Sequence, residues 1–520
     1  MSTRTRARVY DTLPALVPAM FGDLGTVPGD PSDGRRLSDA VAQRQVAELL
    51  GSADFDGWTE ALARVGNCSK PIRLLGSSQT IDTTTGEIVA EYASGQEPLG
   101  VTWVRCGDRR ASQCPSCARL YAADMFQLIR AGVIGGKTVP ATVADNPLVF
   151  ATLTAPSFGR VHGYRSDGSR CHPSVVGRCL HGRPFSCQSR HSARDPLLGQ
   201  PLCVDCYDYA SQIVWQWWAP HLWRRFTIAL RRLVARVLGV PGTRLGEVAT
   251  VQYAKVAEYQ LRGAVHFHAL IRLDGPRSPD GFAAAPAGID AGHLALLVGE
   301  AARTVRLTVP GVDQQDQSRI LAFGRQVDAR PVCTSWRPDD PDQALVPEQV
   351  AGYLAKYATK SADDTGPSDN LHHRRLRATA CGLATRADRA GAGVDDDGPY
   401  ELLGKWVHML GFRGHFASKS RRYSITLGAL RRARRRAQAL IAESRAAGRP
   451  LDLAALEADL LADDDTDTTL VIGHWCYAGA GWRTDAERVL ATAAAARARE
   501  YDQWRADQRR NRRQASERTR

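Results

Sequence analysis

The hydrophobic positions of this chain switch between two periods. Leu148-Val149-Phe150-Ala151-Thr152-Leu153-Thr154 is a β-prone run that follows Pro147 and stops at Ala155-Pro156, which predicts a strand. Two more strands are predicted at 248–258 and 264–273. In the latter, Val265, Phe267, Ala269 and Ile271 alternate with His266 and His268. Side chains of a strand alternate faces, so both imidazoles point one way and the apolar residues pack into the opposite layer. Helical spacing predicts helices from Ala118 to Arg130, from Tyr209 to about Leu238, from His293 to Thr308, and from Pro347 to Ser361. Another starts at Ser38-Asp39, and Pro220 is expected to kink the second of these helices or begin a new one.

Between these elements, residues 160–206 are rich in Gly, Pro, Ser, Cys and His and carry little period. So long an irregular stretch needs metal to hold it in a compact domain. The acidic run 388–398 reads as a linker or mobile loop. Four regions are expected: an N-terminal helical region (1–64), a cysteine-bearing zinc region (65–145), a core (146–385) with a zinc insertion at about 165–210, and a basic, mainly helical C-terminal region (400–520). The Arg-rich tail after Gln508 is expected to be disordered.

Composition sharpens the picture. The chain has 520 residues, 68 Lys and Arg against 55 Asp and Glu, and a net charge of +13, which points to a polyanion such as nucleic acid. No apolar run is long enough to span a bilayer. Arg4, Arg6 and Arg8 are followed by Asp11, Pro14 and Pro18, a poor secretory signal, so a cytoplasmic protein without a membrane partner is expected. Twelve cysteines then point to zinc rather than disulfides, because nine of them cluster between Cys68 and Cys206.

Alone, His266 and His268 read as solvated strand histidines. If the two strands pair as neighbours, Glu258 or Gln260 joins their face and completes a three-ligand site with open positions, suited to Mn²⁺ or Mg²⁺ holding a phosphate oxygen. Downstream, Tyr353-Leu354-Ala355-Lys356-Tyr357-Ala358-Thr359-Lys360 puts Tyr353 and Tyr357 one turn apart on a helix, with Lys356 and Lys360 beside them. A phenol of ordinary pKa, about 10, needs cations or metal to act as a nucleophile.

With these motifs the chain resembles the HUH endonucleases, which include the initiators of rolling-circle replication. Within them it is most similar to RepSA-like replication initiators of actinobacterial plasmids and integrative elements. The resemblance also rests on Phe150-Ala151-Thr152-Leu153-Thr154, Arg110-Ala111-Ser112-Gln113-Cys114-Pro115-Ser116-Cys117, Pro201-Leu202-Cys203-Val204-Asp205-Cys206, Gly411-Phe412-Arg413-Gly414-His415-Phe416 and Lys419-Ser420-Arg421-Arg422-Tyr423-Ser424, and it covers roughly residues 65 to 425.

The resemblance implies an α+β fold, an antiparallel sheet flanked by helices. It implies that His266 and His268 bind the metal and that Tyr357 attacks a phosphodiester of single-stranded origin DNA. Tyr357 would keep the 5′ phosphate and release a 3′ hydroxyl, with Tyr353 available for a second cut. Single- and double-stranded plasmid origin DNA, a host helicase and a polymerase are the expected partners. A relaxase or transposase with the same chemistry is the alternative, and a zinc-bearing DNA-binding regulator without catalysis is a different one.

Two Cys-x-x-Cys knuckles suggest structural zinc. Cys114 and Cys117 are expected to be completed by Cys68 and Cys106. For Cys203 and Cys206 the available partners are Cys171, Cys179, Cys187, His181 and His191, of which Cys179 and Cys187 are chosen. Ala131-Gly132-Val133-Ile134-Gly135-Gly136-Lys137-Thr138 mimics a phosphate loop, but a helix-like run precedes it and Pro140 follows, which excludes one. Lys419, Arg421, Arg422, Arg431, Arg432, Arg434, Arg435 and Arg436 are candidates for phosphate contacts. Trp215, Trp217, Trp218 and Trp223 are expected to sit on a core helix.

Overall fold

The structure is a computed structural model that describes residues 39–97, 99–278, 281–332, 350–355, 370–391, 398–448 and 469–518. In chain order its elements are α1 (Asp39–Leu50), α2 (Phe55–Arg64), β1 (Ile72–Asp82), β2 (Ile88–Ala93), β3 (Thr102–Val104), α3 (Pro115–Ile134) and β4 (Leu148–Leu153). They continue with α4 (Tyr209–Val237), β5 (Thr250–Tyr259), β6 (Val265–Asp274), α5 (Ala291–Thr304), β7 (Leu307–Val309), β8 (Arg319–Leu321) and β9 (Val327–Pro331). The last are α6 (Leu371–Gly391), β10 (Ala417–Lys419), α7 (Leu427–Ala446), β11 (Thr469–Ala480) and α8 (Asp485–Arg518). Residues 350–355 are helical as well. The chain divides into two compact units, Met1–Leu120 with Asp464–Arg520, and Tyr121–Asp463.

In the first unit β1 is central, pairing antiparallel with β11, β2 and β3. Parts of three regions expected as separate stretches therefore share one unit: β11, at the far end of the sequence, pairs with β1 along its whole length. Trp58, Trp103 and Trp482 form its core with Val46, Leu62 and Val65, the Trp103 and Trp482 rings lying 4.7 Å apart. The C-terminal region is thus not simply helical. Its tail departs from expectation too, since α8 continues to Arg518. Ala and Arg dominate that helix and are strong helix formers.

The second unit is built on a five-stranded antiparallel sheet of order β10-β5-β6-β4-β9. Alternation sorts its side chains. Val149, Ala151, Leu153, Ala257, Phe267, Ala269 and Ile271 join α4, α5 and α6 in the larger core. On the opposite face Leu148, Ala254, Val256 and Leu270 pack with Tyr121, Leu128 and Ile129 of α3 and with Val350, Ala351, Leu354 and Ala355.

Pro220 neither ends nor divides α4, which is one helix. The flanking Trp215, Trp217, Leu222 and Trp223 are buried, and burial of about 1.5–3 kcal/mol per large side chain outweighs the roughly 3 kcal/mol that an interior proline costs. Near the end of β6, the fully buried Arg272 donates from Nε and Nη2 to Asp274 at 2.6 and 2.9 Å and from Nη1 to the carbonyls of Gly132 and Tyr423. That network ties the sheet to α3 and to the turn before α7.

Candidate metal centres

Strand register brings Glu258 directly opposite His266, and Val256 opposite His268. Residues 258, 266 and 268 therefore share a face, the one that packs toward residues 350–355. Glu258 Oε2 lies 3.0 Å from His266 Nε2 and 3.2 Å from His268 Nε2, and the two nitrogens are 3.1 Å apart. Three donors at right angles on a cation with bonds of about 2.1–2.2 Å stand about 3.0–3.1 Å apart, whereas a tetrahedral set spreads them to about 3.4–3.6 Å. The three donor atoms stand close enough together to hold one metal ion. Gln260, the alternative third ligand, instead accepts from Arg262 Nε at 2.8 Å.

The surroundings fit the same role. Burial raises the Glu258 carboxyl, but the hydrogen bonds and charges of His266 and His268 outweigh it and hold the group at about 2. Burial pushes the His268 imidazole below its ordinary value, which keeps it neutral and able to ligate. Thr152 stands opposite His268 on β4, its Oγ1 3.1 Å from Nδ1. With Nδ1–H donating to Thr152, the Nε2 lone pair faces Glu258 and His266. In the sequence Thr152 is only one member of a strand motif, and nothing but register singles it out.

Tyr353 lies beside this trio. Its ring meets His268 edge to face with centroids 5.3 Å apart and contacts Phe150 at 5.8 Å. Phe150 in turn stacks on His268, the planes only 7° apart. Tyr353 is exposed while Val350, Ala351 and Leu354 of the same segment are buried, so the apolar side of that turn seats it on the sheet. Lys356, Tyr357 and Lys360 lie outside the described residues.

The cysteines form separate groups. Cys68, Cys106, Cys114 and Cys117 come together in the first unit, with Sγ separations of 3.7 Å for Cys106–Cys117 and Cys68–Cys117 and 3.8 Å for Cys68–Cys114. Tetrahedral zinc with bonds of about 2.3 Å requires about 3.8 Å. Backbone N–H groups of Ser69, Cys106 and Asp108 donate to these sulfurs, as thiolate ligands need. The four can hold a metal such as zinc.

In the second unit, Cys203 and Cys206 gather with Cys179 and His181. His181 Nδ1 lies 3.2 Å from Cys206 Sγ and 3.7 Å from Cys203 Sγ. Cys187, chosen from spacing, is not among them and lies instead with His162, Cys171 and His191. The reason is local pairing. Cys187 exchanges backbone hydrogen bonds with His172, which leaves only the tip of the intervening hairpin, with Cys179 and His181, to reach Cys203. Spacing alone does not reveal such a hairpin.

Of the basic candidates, Arg431 and Arg434 of α7 pair with the buried Asp124 of α3, so these two arginines anchor the helix. Lys419 donates to the carbonyl of Ser424 at 2.8 Å, and burial lowers its amine to about 8. Trp215, Trp217 and Trp223 are core residues. The phosphate-loop mimic begins inside the last turn of α3, where a phosphate loop would need a strand before it.

A family model described as replication initiator protein, pSAM2 (RepSA), matches residues 54–496. Over 475 residues the chain is 40% identical to a replication initiator protein of Streptomyces ambofaciens, a match that covers 88% of this chain and 94% of that one. A stretch of 181 residues, 33% of this chain, is 28% identical to 52% of a protein-glutamate methylesterase/protein-glutamine glutaminase 1 of Burkholderia lata. That match is too short and divergent to bear on the whole chain. No solved structure matches. The family model runs through the strands and cysteine groups described above, and the chain belongs to the RepSA family of replication initiators.

Proposed function

We propose that this initiator starts rolling-circle replication of its plasmid by nicking and rejoining single-stranded origin DNA through a 5′-phosphotyrosine intermediate. The observation that carries the reading is the convergence of Glu258, His266 and His268 beside the ring of Tyr353. An antiparallel sheet with helices on both faces supports the HUH endonuclease core that the sequence resembles.

In this reading Glu258, His266 and His268 hold Mn²⁺ or Mg²⁺, the cations that prefer octahedral coordination, while Thr152 fixes the orientation of His268. A cation held by these residues would supply Lewis-acid polarisation of a phosphoryl oxygen of the scissile phosphodiester. The phenolic oxygen of Tyr357 bonds to phosphorus as the bond to the 3′ oxygen breaks. The phenol proton is lost and the 3′ oxygen leaves as a hydroxyl that a host polymerase extends behind a host helicase. Lys356 and Lys360 supply positive charge for the phenolate. Tyr353 makes the second cut, and attack by a 3′ hydroxyl on the phosphotyrosine reseals the strand. The cysteine groups hold structural zinc, and arginines of α7 that do not pair with Asp124 meet phosphates of the double-stranded origin.

Replacing Tyr353 and Tyr357 by Phe, singly and together, tests the scheme. Wild-type protein incubated with origin single strands and Mn²⁺ gives a covalent adduct on a denaturing gel, and the double variant gives none. An adduct that survives in the double variant, or forms equally well without a divalent cation, refutes it.

A further inference from the structure

Residues 160–206 contain a second tetrad besides Cys179, His181, Cys203 and Cys206. His162 Nδ1 lies 3.1 Å from His191 Nε2, and Cys187 Sγ lies 3.5 Å from the same nitrogen. The ligand atoms of His162, Cys171, Cys187 and His191 all fall within 4.8 Å of one another. His172 Nδ1 is 3.0 Å from Cys171 Sγ but does not share that convergence.

Groups around the tetrad prepare it for a cation. Asp195 Oδ2 accepts from His191 Nδ1 at 2.7 Å, which leaves Nε2 as the inward donor. The backbone N–H of Gly163 donates to Cys171 Sγ at 3.2 Å. Cys171 and His191 are buried, yet the segment has almost no core of its own: between residues 160 and 206 only Cys171 and Leu198 are buried among its hydrophobic residues, and Val176 and Leu180 are fully exposed. Burial of apolar surface therefore does not hold this fold together, and a structural metal can supply what is missing.

From this geometry we infer that His162, Cys171, Cys187 and His191 bind a zinc ion, and that this site interlocks with the one at Cys179, His181, Cys203 and Cys206. Along the chain the ligands alternate in pairs. His162 and Cys171 belong to the first site, Cys179 and His181 to the second, Cys187 and His191 to the first, Cys203 and Cys206 to the second. The backbone explains the alternation. Residues 171–172 pair with 187–189 at the base of a hairpin, whose tip, closed by Cys179 N–H donating to the Arg183 carbonyl, carries the second site's pair. Each site's ligands thus bracket a pair that belongs to the other, so the two sites fold together.

The module also packs on the turn between β5 and β6, which Arg262 ties to the end of β4 by donating to the carbonyls of Ala155 and Pro156 at 2.9 and 2.7 Å. Gly199, with φ of +80°, packs so closely on the Leu261 backbone that a Cβ would come within 2.3 Å of its carbonyl carbon. Glu258 and His266 flank that turn.

The test is zinc stoichiometry of the full chain by elemental analysis and native mass spectrometry. His266→Ala with His268→Ala serves as the background, so that the three-ligand site adds nothing. Three zinc ions per chain are expected, one for each tetrad. Two or fewer overturn the inference, as does a Cys171–Cys187 disulfide found in peptides alkylated without reductant. In that background, Cys171→Ser with Cys187→Ser is expected to lose both zinc ions of the module and keep the one at Cys68, Cys106, Cys114 and Cys117. Retention of all three overturns the site, and loss of only one overturns the interlock.

Discussion

Thr152→Val isolates the orientation of a ligand from the ligand itself. Valine keeps the branched shape of threonine, so β4 retains its packing and strand preference, and stability should change by less than about 1 kcal/mol. What disappears is the 3.1 Å hydrogen bond to His268 Nδ1. Loss of such an outer partner costs about 10- to 100-fold in metal affinity. Here the lower end applies, because Phe150 stacked on His268 and Tyr353 at its edge still restrain the ring. The expectation is about tenfold weaker Mn²⁺ binding, about 1.4 kcal/mol, read by calorimetric titration or by the free-Mn²⁺ paramagnetic signal. Saturating Mn²⁺ should then restore most adduct formation. His268→Ala, which deletes the donor, should bind far more weakly. If Thr152→Val binds Mn²⁺ within twofold of wild type, the hydrogen bond does not tune the site. If it is as weak as His268→Ala, the residue does more than orient.

Other parts of the molecule yield their own tests. Lys255 is buried against the rings of Trp223 and Phe267, and burial lowers its amine from 10.5 to about 7. Below pH 7 it is charged in both states and its full desolvation penalty applies; between about 7 and 10.5 the unfolded chain binds the extra proton, so stability climbs with pH. At about 1.4 kcal/mol per pKa unit the shift sets an upper bound of about 5 kcal/mol on this penalty. Lys255→Met should therefore stabilise the protein by up to about 5 kcal/mol at pH 6 and by less at pH 9 in urea unfolding; a gain that grows with pH reverses the argument. Arg272→Met strands the buried Asp274 and should cost about 3–5 kcal/mol by chemical denaturation, with Asp274→Asn added to it restoring part. Cys114→Ser with Cys117→Ser should remove one zinc and the hydrogen-exchange protection of β1 and β3, while Mn²⁺ affinity at the histidine pair stays as it was; unchanged zinc content contradicts a tetrahedral site there.

Much of the site was legible in the sequence because it depends on local geometry. Strand alternation puts His266 and His268 on one side without reference to any other part of the chain, and β5 lies close enough in sequence to β6 to suggest Glu258. The helical turn bearing Tyr353 is similarly local. Thr152 was harder to see, since its role exists only once β4 pairs with β6. Spacing places Cys187 with Cys203 and Cys206, whereas the fold groups it with His162, Cys171 and His191, because cysteine spacing carries no record of hairpin register, and His162 and Asp195 have no motif of their own.

The sequence by itself determined the three central strands β4, β5 and β6, most helix positions, the shared face of the histidines and the chemical kind of residue available for metals. These follow from the two periods of the backbone and from composition. Only the tertiary structure decided which cysteine joins which tetrad, that β11 completes the sheet of β1, and that α4 runs unbroken through Pro220. Each of those outcomes is set by pairing or burial between residues distant along the chain, and such energies outweigh local preference without leaving a periodic trace in it.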